Sequence, residues 1–590
     1  MQIPADQERL EAVAKTLDAL ADDELAKIDS EVSHLSQVAA RGLLVEVIRA
    51  FDMRHVGQIL SNDIRHKIPE PDFTAMSRGW NLALSLLLKS AGEMRGVPSR
   101  ESTSESIRAS TSFLIRLGHI TLLYENAAML RHGMAGAVED GSSIRLRMSD
   151  RVATDHYLDR LEDSKVKNLR RVSSGHGPDH RANSAAREKI DRKMGELLFP
   201  FSPGSGKGLM VGYNAHPDVD DHFLSLVGPH VLQCRDEAGI HPDAEIGGVR
   251  RSELTSIYML ITSFYLKHIY FVDLAKKKHP SINYAMSLTI WKSPESLVDS
   301  IVAFTGINAS SVVAALDLIT ARPTHCEYFR RERTPYVPML IEISPGYLLA
   351  PISSIFRNSL ASIRMFHESS SEATSISVRE PRENWMIVDL CHLFMDSRYR
   401  TVDKPTRLTR NGNEVTDIDA AILDAETGTL ALFQLKWQDF NTNDVRSQRS
   451  KAKNFVSQID KWSDAVDSWL SEFGLEALLR LLRIDLTVSR VRLFAIGRSA
   501  ARFRSYGYSS TNAKVVCTSW LQFVRLRIKA ANNANVFGAI ADDAKQEESV
   551  SLTLTPIPYE ISISGKRIIF EDMWCEFDDS FSGESSATTI

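Results

Sequence analysis

The segment Leu430–Trp437 (LALFQLKW) constrains the fold of this chain more than any other. It is apolar almost throughout, so as a strand it belongs at the centre of a sheet, buried on both faces. Gln434 and Lys436 nevertheless sit inside it, two residues apart and therefore on one face. Burying an amide without a partner costs roughly 2–7 kcal/mol, and an ammonium adds to that. The preceding residues offer a neighbour. Thr416–Asp424 reads as a strand and Ala425–Thr429 (AETGT) as a turn containing Gly428, which predicts a β-hairpin within Asn413–Trp437. Asp417 and Asp419 share a face of the first strand, at the end of an otherwise apolar run. Acidic groups beside a Gln/Lys pair on the next strand point to a metal site with a catalytic lysine.

The remainder of the chain supplies context. At 590 residues it is too long for one hydrophobic core, and about two to four domains are expected. Hydrophobic content of 43% with 25% charged residues is that of a globular protein. A net charge of −5 excludes a global basic field, so any nucleic-acid contact must use a local patch. Cys234, Cys326, Cys391, Cys517 and Cys575 have no paired spacing, which argues against a disulfide framework or structural zinc site. The N-terminal MQIPADQERLEAVAK is not built like a secretory signal, and runs such as Leu82–Leu88 are far short of a membrane span. A cytoplasmic location with no membrane partner is the expectation.

From Gln7 to about Arg95 the apolar residues recur at helical spacing, as in Leu10, Val13, Leu17 and Leu20. A polar break at Ser99–Ser106 precedes further helix over Phe113–Met129. Residues 1–169 therefore read as a helical domain. Arg170–Lys189 is polar and basic, so 170–190 reads as a linker or exposed loop, with Arg170, Arg171, Arg181 and Arg187 solvated. Gly204–Gly208 (GSGKG) imitates a phosphate loop, but Phe201 stands where a glycine is needed and no Ser or Thr follows Lys207. His216–His222 (HPDVDDH) offers metal-ligand types, yet a turn at Pro217, with Asp218 or Asp220 capping a helix near His222, accounts for it. Residues 191–377 form a second mainly helical region, with Ser293-Pro294-Glu295 and Asn308–Ser311 opening helices and a short strand near Met339–Ile343.

After the break at Glu368–Ser377 helix and strand alternate. An amphipathic helix over Glu383–Phe394 leads to a strand near Tyr399–Leu408, the hairpin, and helices over Asp444–Leu470 and Leu475–Arg483. Strands Val491–Gly497 and Lys514–Thr518 and a helix at Trp520–Lys529 complete a compact α/β/α order over 378–545. Residues 546–590 read as a strand segment followed by an acidic tail, Glu571–Glu584, expected to be disordered or regulatory.

In this C-terminal part the chain resembles the PD-(D/E)XK, restriction-endonuclease-like nuclease superfamily. The family pattern is an Asp on one hairpin strand and (D/E)-x-K on the next, often about fifteen residues on. Asp419 and Gln434-Leu435-Lys436 match in type and spacing, with Gln434 replacing the acid, as in modification-dependent restriction nucleases. The resemblance covers roughly Glu380–Ala530 and implies a mixed central sheet between helices, together with Mg²⁺ (or Mn²⁺) as cofactor. Asp419, Gln434, the carbonyl of Leu435 and Glu383 would be the metal ligands, with Glu380 as substitute for Glu383. Lys436 would orient the attacking water. Asp417 would be an accessory ligand, and Gln458, in a Gln-x-x-x-Trp that resembles the Gln-x-x-x-Tyr of some exonucleases, an accessory residue.

The helix after the hairpin carries Arg446, Arg449, Lys451, Lys453 and Lys461, available to neutralise phosphates of DNA, or of RNA as the second candidate. Arg498, Arg502 and Arg504 are a weaker set. The resulting expectation is a Mg²⁺-dependent phosphodiesterase, a deoxyribonuclease of restriction or antiphage defence regulated by, or partnered through, its helical half. The alternative is a degenerate nuclease fold that binds nucleic acid without cutting, or a helical sensor or adaptor.

Overall fold

The computed structural model describes residues 5–60, 70–91, 101–155, 158, 180–202, 208–238, 240, 244–356, 359, 360, 363, 379–438, 444–499, 502–549 and 554–577. The chain divides into two units, and their limits do not follow the boundaries drawn along the sequence. One contains Thr16–Glu125 and Arg171–Val378; the other contains Met1–Lys15, Asn126–Arg170 and Arg379–Ile590. Helices dominate the N-terminal and middle regions, and mixed sheets the C-terminal region.

Close helix crossing organises the first unit. Helix Glu70–Ala91 carries Gly79 and helix Ser104–Arg131 carries Gly118. A Cβ at Gly79 would overlap the Leu114 carbonyl oxygen, and one at Gly118 would overlap that of Ala75. Glycine is required at this crossing because the two backbones touch. Helix Arg251–Lys278 is buried along its length by Leu254, Ile257, Tyr258, Ile261, Ile269 and Val272. Its Lys267 forms an ion pair with Asp220.

Ser293 and Asn308 cap helices Pro294–Thr305 and Ala309–Ile319 by accepting from the N–H groups of Ser296 and Ser311, at 3.1 and 2.9 Å. The strand expected near Met339–Ile343 is Leu340–Ser344. It belongs to a four-stranded sheet with Ile290–Lys292, Tyr347–Ala350 and Thr320–Ala321. No single described helix is long and apolar enough to cross a membrane.

Two local expectations are corrected here. The helix placed near His222 begins at Pro217, so Asp218 and Asp220 lie in its first turn instead of capping it, and the His216 ring accepts from the Asp218 N–H at 3.2 Å. Acidic residues in a first turn suit the positive end of a helix, which explains their crowding without a metal. The region read as a loop over 170–190 is helical from His180, in helix His180–Leu197, where the Ala and charged residues of SAAREK favour helix over loop. Its residues 170–179, and 203–207 of the GSGKG segment, lie outside the described residues.

Among its described residues the second unit holds a four-stranded sheet, a five-stranded sheet and a two-stranded ribbon. In the four-stranded sheet, the hairpin of Ala135–Asp140 and Ser143–Met148 pairs with Lys566–Phe577, which pairs in turn with Leu554–Ile563. Segment 126–169 is thus not wholly helical, and Glu571–Phe577 of the acidic tail is strand. Residues 578–590 lie outside the described residues.

The five-stranded sheet and the ribbon together take seven strands. These elements are β1 (Tyr399–Val402), β2 (Thr406–Arg410), β3 (Asn413–Ile418), β4 (Ala420–Asp424), β5 (Thr429–Lys436), β6 (Arg490–Gly497) and β7 (Val515–Ser519). The order is β1-β4-β5-β6-β7, with β1, β4 and β5 antiparallel and β5, β6 and β7 parallel. Strands β2 and β3 form a separate ribbon.

Helices α1 (Arg379–His392), α2 (Val445–Phe473), α3 (Leu475–Leu482), α4 (Trp520–Lys529) and α5 (Val536–Ser549) flank this sheet. One face packs Ile422, Phe433 and Phe494 against Met386 and Leu390 of α1, Phe523 of α4 and Phe537 of α5. The other packs Ala421, Leu432 and Leu493 against Phe455, Ile459 and Trp462 of α2 and Leu478 of α3. This is the expected α/β/α layering of a mixed sheet.

The first strand of the expected hairpin is corrected. Thr416–Asp424 is two strands, broken at Asp419, and Tyr399–Leu408 is likewise divided into β1 and β2. The break lets the ribbon leave the sheet while Ala420 stays in register with Phe433.

Candidate active site

The site grows from the place where β4 starts beside β5. Because β5 is apolar and central, its residues alternate between the two buried faces. Leu430 and Leu432 face α2, and Gln434 and Lys436 continue that row. The neighbouring strand β4 begins one residue after Asp419, so the regular antiparallel ladder ends there. The Asp419 N–H still donates to the Phe433 carbonyl at 3.1 Å. Its side chain then takes over where the ladder stops.

The Asp419 carboxylate accepts two hydrogen bonds at one oxygen, Oδ2. The Leu435 main-chain N–H donates at 2.6 Å and the Gln434 side-chain nitrogen Nε2 at 2.6 Å. Asp419 is 7% exposed and Gln434 3%. A carboxylate can only accept, so the amide must present its nitrogen to Asp419. In a strand the N–H and C=O of one residue face the same edge, so the Leu435 carbonyl also faces the Asp419 side. One carboxylate, one amide and one main-chain carbonyl therefore converge at a strand end. Lys436, the last residue of β5, is half-buried, and its side chain makes no hydrogen bond or ion pair among the described residues.

Other expected site residues fall differently. Asp417 does not share a strand with Asp419; it lies in the β2–β3 ribbon opposite Arg407, and its carbonyl accepts from Trp462 Nε1 at 2.8 Å. The Trp of the Gln-x-x-x-Trp pattern is thus a buried tie between α2 and β3, while Gln458, four residues earlier, is exposed. Glu383 lies in α1, on the opposite side of the sheet from α2; its side chain and that of Glu380 lie outside the described residues.

The basic residues of α2 also separate. Asp444 caps the helix by accepting from the N–H groups of Arg446 and Ser447, at 3.2 and 3.0 Å. Arg446 and Lys453 are exposed and Lys451 is half-buried. Arg449 is turned to the protein, donating to the His132 carbonyl at 2.8 Å and lying over Tyr508. One nitrogen of its fork is thus engaged within the protein.

Sequence reasoning missed the group at the C-terminal ends of β5 and β6. The Arg498 N–H donates to the Lys436 carbonyl at 2.9 Å, and its guanidinium pairs with Asp389 at 3.0 Å. That guanidinium lies 5.5, 4.9 and 5.4 Å from the rings of Trp385, Trp437 and Trp520, and Trp385 stacks on Trp437. No local pattern announces it, since its members come from α1, α4 and the residues just after β5 and β6. Cations held over aromatic faces are fixed in place, so Arg498 anchors the strand end next to Lys436.

An oxygen donor set suits Mg²⁺ or Mn²⁺. The residues present fit in type, with Asp419 as carboxylate, although no group of three or more His, Cys, Asp or Glu side chains lies together among the described residues. For Gln434 to contribute oxygen, its amide must turn over and release Asp419. Comparison of this chain with protein families, with curated proteins and with solved structures yields no match.

Proposed function

We propose that the chain is a divalent-metal-dependent nuclease that hydrolyses DNA phosphodiester bonds through a restriction-endonuclease-like domain. The observation that carries this reading is the meeting of Asp419 with Gln434 and Leu435 at 2.6 Å, with Lys436 next on the same strand face as Gln434. An isolated Asp and Q-x-K could arise by chance. Their convergence at one edge of a central strand, under helix α2, supports a common site.

Asp419, the Gln434 side-chain oxygen and the Leu435 carbonyl would hold Mg²⁺ or Mn²⁺, with Glu383 as the further carboxylate expected from the resemblance. When bound, the cation supplies Lewis acidity toward water and the scissile phosphate. Lys436 carries an ammonium at the strand end. It orients the attacking water and offsets negative charge developing on phosphate. Arg498 holds the main chain of Lys436 in place. Exposed Arg446 and Lys453 are the cations available for the nucleic-acid backbone. Regulation by the helical unit, in restriction or antiphage defence, belongs to the same proposal.

The test is cleavage of single-stranded, double-stranded and modified DNA, and of RNA, with Mg²⁺ or Mn²⁺. Lys436→Ala is expected to abolish cleavage without unfolding the protein, and equal cleavage by both proteins sinks the assignment. One observation favours a second reading, a degenerate site that binds nucleic acid without cutting. Gln434 as oriented donates to Asp419 and occupies the carboxylate. Titration calorimetry separates the two, since only the nuclease takes up Mn²⁺ in a manner abolished by Asp419→Ala.

A further inference from the structure

A cavity of about 430 Å³ opens beside the edge strand β7, between α2 on one face of the sheet and α5 on the other. Arg151, Arg502, Arg504 and Lys545 all line it, against one carboxylate, Glu548. Ion pairs offset part of this charge. Arg504 pairs with Glu548 at 2.6 Å and Arg151 with Asp155 at 3.3 Å. Arg502, its side chain 7% exposed, has Glu547 at 3.7 Å, but Arg525 shares that carboxylate at 2.6 Å. Lys545 donates to the Ala513 carbonyl, at 3.2 Å. Among the described residues the wall itself thus presents four cations to one carboxylate, with Asp155, Asp460 and Glu547 behind it. Gathering like charges in a partly desolvated cavity is unfavourable unless an anion joins them.

The wall also selects the shape of that anion. Phe455 and Phe503 form a buried aromatic floor with ring centroids 5.1 Å apart, and Tyr508 lines the same space. The Ser510 hydroxyl is held by Asp460 at 2.6 Å, so the loop bearing Tyr508 and Ser510 is tied to α2. A cavity of this volume takes a molecule of roughly mononucleotide size. We infer that this cavity is a binding site for a nucleoside phosphate, with the phosphate among Arg502, Arg504 and Lys545 and the base against the aromatic wall. The site is separate from Asp419, lying at the sheet edge two strands away from β5. It stands whether or not the chain cuts DNA.

Titration calorimetry on the full chain tests it, with AMP, ATP, adenosine, inorganic phosphate and a short single-stranded oligonucleotide as probes. AMP or ATP is expected to bind, and adenosine at least about tenfold more weakly, the equivalent of one lost charged hydrogen bond. Lys545→Glu is expected to weaken AMP and ATP by a similar factor. Arg504→Gln, also at an exposed position, provides the second variant should the first fail to fold. Lys436→Ala is expected to bind AMP and ATP as the wild type does. Three results overturn the inference: no heat of binding up to about 1 mM nucleotide, binding that neither cavity variant weakens, or binding lost in Lys436→Ala. Equal affinity for inorganic phosphate, or an oligonucleotide bound more tightly through Lys545, overturns the assignment to a free nucleoside phosphate.

Discussion

The Asp419 carboxylate and the Gln434 amide, fifteen residues apart, are joined by a buried hydrogen bond of 2.6 Å. It makes Gln434 a structural partner of the acid, where a second acid would be its electrostatic opponent. Gln434→Glu would set two carboxylates in contact, replacing a donor with a like charge. The expected cost in the presence of a chelator is about 1–3 kcal/mol, seen as a lower melting temperature. Mg²⁺ or Mn²⁺ is expected to restore most of it, with a larger upward shift than in the wild type. A variant that melts like the wild type with and without metal would remove the hydrogen bond from the account.

The central strand was legible because its pattern is local. An apolar run holding Gln434 and Lys436 has few alternatives, and the observed strand ends within a residue of the expected one. Caps were legible for the same reason, since Ser293, Asn308 and their partners lie three residues apart. The break at Asp419 was hidden, because TDIDAAILD holds no Gly or Pro to mark it and only the departure of the β2–β3 ribbon reveals it. The pairing of Ser143–Met148 with Lys566–Phe577 was hidden more deeply, since strands over four hundred residues apart leave no short-range signal. Arg449 shows a further limit, as a basic helical face does not reveal which cation turns inward to a carbonyl.

Arg398 tests how far the sheet edge depends on one ion pair. Its fork grips Asp424 at 2.8 and 2.6 Å, and the Asp424 side chain is fully buried. Burial pushes the Asp424 carboxyl up, but the hydrogen bonds from Arg398, Thr427 and the Glu426 N–H, with the Arg398 charge, together outweigh it and hold the group below its ordinary value. A depressed carboxyl contributes stability above its unfolded value, and loses it as pH falls through the folded one. Arg398→Ala is therefore expected to cost about 3–5 kcal/mol at neutral pH, as for a buried charge left unpaired. The deficit is expected to shrink in acid, once Asp424 is protonated in both proteins. Urea unfolding at several pH values checks both the size and the trend.

Two helical glycines should respond in opposite senses. Gly118 meets the Ala75 main chain, which cannot yield as a side chain could. Gly118→Ala is expected to destabilise by about 1–3 kcal/mol or more through overpacking. Gly42, in helix Gln37–Leu60, has nothing within 4 Å of the place a Cβ would occupy. Gly42→Ala is expected to stabilise by roughly 0.5–1 kcal/mol through helix propensity alone. Thermal melts of the two variants decide the matter, and equal shifts would remove the helix contact as the reason for Gly118.

Asp52 predicts a pH dependence of the opposite sign to that of Asp424. Its carboxylate is buried in helix Gln37–Leu60 and accepts from the main-chain N–H groups of Ser353 and Ile352, at 2.9 and 3.3 Å. Burial pushes its carboxyl up to about 7, and the hydrogen bonds from Ser353 and Ile352 only partly oppose that. An unfolded Asp ionises near 3.9, so between about pH 4 and 7 the folded chain keeps a proton that the unfolded chain has released. Stability from this group must then fall as pH rises across that window, by up to roughly 4 kcal/mol in all, and level off above it. Asp52→Asn cannot titrate. Subtracting its urea-unfolding free energies from those of the wild type isolates the effect, and the difference is expected to favour the wild type more at pH 5 than at pH 8. Parallel curves for the two proteins from pH 4 to 8 would show that Asp52 is ionised throughout.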